Sequence, residues 1–93
     1  MTQSRSHFQW RWAHVTGYTQ VVTGPGILHT IVLNQMPKQA TFWIWDGIGV
    51  GTNAIGWVRT DFDQLRTLVY DLKFDDGLFL AVPGAVDVTV TYM

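Results

Sequence analysis

Apolar and polar side chains alternate along most of this chain with the two-residue period of β-strands. In residues 7–12 the alternation points Phe8, Trp10 and Trp12 to one face and leaves the other polar. From Ala13 to Val15 the second face turns apolar too, which predicts a strand buried on both sides or one carrying a bulge, and Gly17 ends it. Residues 20–23 and 27–34 are β-branched segments joined tightly by Gly24, Pro25 and Gly26, a cluster suited to a sharp turn. Strict alternation in the second segment assigns Leu28, Thr30 and Val32 to one face and Ile27, His29, Ile31 and Leu33 to the other. Both faces look mostly covered.

After a polar loop at 35–39, residues 41–46 set Phe42 and Ile44 against Trp43 and Trp45, and Asp46 with Gly47 closes the run. Residues 47–56 hold four glycines among small side chains, which predicts a long loop before a short strand at 57–59. Residues 61–72 fit two patterns. Asp61 and Gln64 resemble a helix N-cap pair ahead of Phe62, Leu65, Leu68 and Leu72 at helical spacing. Against this, Leu68, Tyr70, Leu72 and Phe74 alternate with Val69, Asp71 and Lys73 as a strand would. The favoured reading is a turn at 61–66, then a hairpin through Asp75, Asp76 and Gly77 into 78–82. Residues 87–92 close the chain as a strand with Val88, Val90 and Tyr92 on one face and Asp87, Thr89 and Thr91 on a solvated one. About eight short strands in 93 residues predict an all-β, compact single-domain antiparallel β-sandwich of jelly-roll-like form. One domain spans 1–93, with 1–7 as a flexible or partner-ordered arm.

Composition moves this picture toward association. The chain is 47% apolar but only 14% charged, against about 25% charged in ordinary globular domains. Five Trp, five Phe and three Tyr exceed what so small an interior hides, and aromatics are enriched at protein interfaces. Without cysteine there is neither a disulfide staple nor a thiolate zinc site. Six basic residues, scattered singly under a net charge of −1, form no phosphate-binding stripe, so nucleic acid is not an expected partner. No apolar run approaches the ~20 residues of a membrane span, and the polar start does not read as a signal peptide.

Candidate chemistry is sparse. His7, His14 and His29 are the possible bases or metal ligands, but His7 and His14 fall on opposite faces of one strand, roughly 23 Å apart. His29 could meet a carboxylate only from another strand, and no local motif marks a nucleophile with an oxyanion site. Turn chemistry accounts for the pairs Asp61/Asp63 and Asp75/Asp76 more simply than calcium or a two-carboxylate glycosidase does. No catalytic residue, metal or cofactor is therefore expected. The aromatic pairs Trp10/Trp12 and Trp43/Trp45, with Phe8, are the candidate partner interface. Indoles exposed beside polar groups would serve a carbohydrate-binding module instead.

The segments Gly26-Ile27-Leu28-His29-Thr30-Ile31, Trp43-Ile44-Trp45-Asp46-Gly47, Tyr70 to Leu78 and Asp87-Val88-Thr89-Val90-Thr91-Tyr92 resemble small β-sandwich structural proteins of tailed-phage virions, in particular capsid decoration or cement proteins. The likeness covers about the last three-quarters of the chain; the arm up to Trp12 and residues 47–56 fall outside it. The resemblance implies a non-enzymatic homotrimer, made in the host cytoplasm, that binds a major capsid or other virion protein on the outer capsid surface. A tail or neck component is the alternative within that class.

Overall fold

The computed structural model describes residues 10–36, 39–59 and 66–93. Among these the chain is all-β: β1 (Arg11–Val15), β2 (Thr19–Thr23), β3 (Gly26–Gln35), β4 (Thr41–Asp46), β5 (Asn53–Arg59), β6 (Thr67–Phe74), β7 (Gly77–Ala81) and β8 (Asp87–Tyr92). They form two antiparallel four-stranded sheets, ordered β1-β8-β3-β6 and β2-β7-β4-β5. This is the jelly-roll order, in which every connection except β4–β5 carries the chain from one sheet to the other. Phe8, the expected arm at 1–7 and residues 61–65 of the turn expected at 61–66 lie outside the described residues.

The core lies between the sheets. Leu28, Ile31 and Leu33 of β3, Val88 and Val90 of β8, and Phe74 of β6 meet Phe42 and Ile44 of β4 and Leu78 and Leu80 of β7, all buried. In β8 the alternation holds as read, with Val88 and Val90 inward and Asp87, Thr89 and Thr91 outward.

Four expectations need correction. In β1 neither a bulge nor two-sided burial occurs: Ala13 and Val15 turn inward while Trp12 and His14 stay exposed, because the small residues match the edge of the core and pair with β8 without a register shift. In β3 strict alternation fails at His29, where the register slips against both β6 and β8, so Leu28 and Ile31, three apart, both reach the core. Residues 53–56 belong to β5 rather than to a loop; pairing of Asn53 with Asp46 and Ala54 with Trp45 overrides weak local propensity. Finally, β6 and β7 are not a hairpin, since β6 pairs with β3 and β7 with β2 and β4 in the opposite sheet.

That β6–β7 corner is held by hydrogen bonds converging at one end of the sandwich. The amides of Asp76 and Asp75 donate to the two carboxylate oxygens of Asp46, at 2.8 and 2.9 Å. Gly24 N donates to Asp76 O at 2.8 Å, tying the β2–β3 corner to it, and Gly47 N donates to Gly77 O at 3.0 Å. Gln20 spans the same region: its amide nitrogen bonds the carbonyls of Val22, Gly47 and Leu78, and its oxygen accepts from Gly49 N. Gly24 has φ 88°, a left-handed value that glycine adopts freely. Gly77 is required by space, because a Cβ there would come within 2.9 Å of the carbonyl oxygens of Gly47 and Val22.

Two outcomes follow. Gly77→Val should destabilise the fold by at least about 2 kcal/mol, read as a melting-temperature drop of roughly 10 °C. The Asp76 amide, with those of Asp75 and Gly77, holds the Asp46 carboxyl below its ordinary value of 3.8, against the opposing effect of burial. A depressed pKa contributes stability at pH above the unfolded value, which is lost as pH falls through the folded one. Wild type should therefore lose more stability between pH 5 and pH 2 (about the range that brackets these values) than Asp46→Asn does, measured by urea unfolding across pH.

Candidate functional site

The outer faces of the two sheets differ in chemistry. On β2-β7-β4-β5 the outward positions of β4, β5 and β7 include a cluster of aromatics beside Thr41, Arg59 and Ala81. Trp43 lies opposite Trp57 across β4–β5 and opposite Ala81 on β7, while Trp45 lies opposite Phe79. The indoles of Trp43 and Trp45 are stacked with centroids 5.3 Å apart and planes 12° apart, and Trp57 tilts against Trp43 at 5.1 Å and 31°. Tyr18 meets Phe79 edge-on at 6.4 Å. Trp57 is 60% and Tyr18 68% exposed, and Ile48 and Val50 add apolar surface at the β4–β5 turn.

This face is an indole ladder built by cross-strand register. Its edge in β5 cannot be assigned from local sequence because Trp57 reaches Trp43 only through pairing. The Nε1 of Trp45 is shielded from solvent and meets no acceptor among the described residues. A shielded, unpaired donor costs about 1–3 kcal/mol. Among the described residues one cation, Arg59, shares this face, at its border two residues beyond Trp57 and opposite Thr41.

The outer face of β1-β8-β3-β6 mixes polar groups with two further indoles and, towards β6, with exposed Val69 and Ile27. Trp12 is 69% exposed. Trp10, just before β1, stacks on the His29 ring at 4.2 Å with planes 14° apart. His29 Nδ1 hydrogen-bonds Asp71, so the carboxylate that β3 needed comes from β6. The register slips that displace His29 bring the two together; Asp71 itself sits at φ 48°, a left-handed conformation that Asp tolerates better than most residues. Along the face, His14 Nε2 lies 2.6 Å from Asp87 Oδ1, and Asn34 Nδ2 donates to that oxygen at 3.0 Å and to Thr89 Oγ1 at 2.9 Å. The Asn34 amide, then His14, holds the Asp87 carboxyl below the usual range against slight desolvation.

The five residues read as one interface are thus divided. Trp43 and Trp45 stand on one face of the sandwich, Trp10 and Trp12 on the other, and Phe8 lies outside the described residues. Trp57, Tyr18 and Phe79 join the first pair, and His29, Asp71, Asn34 and Asp87 surround the second. Among the described residues no three His, Cys, Asp or Glu side chains cluster as a metal site would.

Comparison with known proteins finds no family model, no curated protein and no solved structure that matches the chain.

Proposed function

We propose that this chain is a non-enzymatic structural protein of a phage virion, a capsid decoration or cement protein that docks onto neighbouring subunits and copies of itself through the indole ladder of β2-β7-β4-β5. The ladder carries the reading. An exposed aromatic band with Arg59 at its border loses little by desolvation over its rings and gains area that an isolated small domain leaves in water. Its geometry favours protein over sugar, because Trp43 and Trp45 spend ring surface on each other and Trp57 packs against Trp43, whereas a sugar needs an open ring face. The jelly-roll order is in keeping with such a role, since that architecture recurs in capsid proteins, though fold alone does not decide function. The four segments that resemble decoration proteins point the same way.

The mechanism is mass action. A protein that binds only the assembled lattice stabilises it, and repeated copies multiply weak contacts. The same ladder would serve a tail or neck ring.

Light scattering across a concentration series tests the self-association half. A mass near three times 10.6 kDa is expected. Trp57→Ala should weaken it by about 2 kcal/mol, as an anchor residue does. A monomer at every concentration, or a Trp57→Ala protein that associates as wild type, would overturn the assignment of the ladder.

A further inference from the structure

We propose that the outer face of β1-β8-β3-β6 is a binding surface for a neutral hexopyranose chain, with Trp12 as the stacking platform and Asn34, Asp87 and Thr89 as the groups that receive sugar hydroxyls. This goes beyond the assembly role and uses the opposite side of the molecule.

A pyranose presents an apolar face of C–H groups and a rim of hydroxyls, so its receptor needs an open aromatic ring beside fixed donors and acceptors. Trp12 supplies the ring. It projects from a strand rather than a loop, with Thr91 opposite it on β8 and Thr30 beyond on β3. The two threonine hydroxyls lie 2.5 Å apart, and Thr30 N donates to Thr91 Oγ1 at 3.1 Å, so the ground beside the indole is hydroxylated and held in place.

The rim groups lie one row along. His14 is two residues from Trp12 on the same face, about 7 Å away along the strand, and sits opposite Thr89. Asn34, Thr89, Asp87 and His14 are already hydrogen-bonded to one another, which fixes their orientation before a ligand arrives. Both bonds to Asp87 fall on Oδ1; Oδ2 has no partner among the described residues and remains an acceptor for a sugar hydroxyl. Trp10, about 7 Å from Trp12 in the other direction, is oriented by its stack on His29, itself held by Asp71. The Trp10 ring lies over His29 of β3, across β8 from β1, so a ligand that meets both indoles spans the sheet, which points to a chain rather than a single sugar.

The chemistry selects among ligands. Carboxylates at Asp71 and Asp87 disfavour uronic acids, sialic acids and the phosphates of nucleic acid. Docking protein here would strip water from two His–Asp pairs, a cost that exposed pairs do not return. Sugar hydroxyls replace that water bond for bond.

The test titrates the purified protein with neutral hexasaccharides of glucose, mannose, galactose and N-acetylglucosamine, with oligogalacturonate as the acidic control, following amide chemical shifts. Saturable shifts in β1, β8 and β3 with at least one neutral chain are expected, and weaker ones with oligogalacturonate. Trp12→Ala should weaken binding by about tenfold or more, near 1.4 kcal/mol, with Trp12→Phe intermediate and Asn34→Ala also weaker. Trp57→Ala should bind sugar as wild type does. Because Trp12 is exposed, its variants should keep the wild-type melting temperature, which separates lost binding from lost fold. No saturable shift with any of the neutral chains, undiminished binding by Trp12→Ala, or loss in Trp57→Ala instead would overturn the proposal. So would a Trp12→Ala protein that loses self-association without any sugar bound, since that would make this face a protein interface.

Discussion

A chain that crosses between two sheets at nearly every connection must satisfy the backbone groups at its corners, where no ladder partner exists, and this constraint shapes the molecule. Asp46 and Gln20 meet it. One carboxylate receives the amides of the β6–β7 corner, and one side-chain amide links β2, the β4–β5 turn and β7. Since Gly24 N binds Asp76 O, the two corners share a single network. The sandwich is closed at that end by polar atoms, and the apolar core needs to fill only the space between the sheets.

That division of labour leaves the outer faces free to differ. The β2-β7-β4-β5 face carries three neighbouring indoles with Phe79 and Tyr18 beside them, suited to a partner that excludes water. The β1-β8-β3-β6 face mixes indoles with hydroxyl, amide and His–Asp groups, suited to a ligand that is itself half polar. A 93-residue domain without disulfides has a small core, so large apolar surface kept outside it is more consistent with selection for contact than with stability alone. A protein docked through one face and exposing the other could hold a shell and touch a glycan at once.

Much of the fold is legible along the chain. The β8 alternation, the aromatic β4 and the turn residues at Gly24 and Gly77 follow from local chemistry, and so does the all-β sandwich class. The corner at Asp75–Gly77 shows where local reading stops: Asp-Asp-Gly suits a hairpin and a cross-sheet arch equally, and only the pairing partners of β6 and β7 distinguish them. Residues 53–56 are a similar case, weak strand formers recruited because β4 offers them a ladder.

By itself the sequence determined that the chain forms short strands, which of their positions are apolar, and that aromatic surface exceeds what the interior can hold. Tertiary structure decided which aromatics stand together. Trp10/Trp12 and Trp43/Trp45 look equivalent as alternating pairs, yet the crossover topology sends them to opposite faces and adds Trp57 to one pair and His29 with Asp71 to the other. The physical reason is that a strand's period settles only which residues share a side. Which side faces the core depends on its partner sheet, and a register slip such as the one at His29 changes the parity where no local signal announces it.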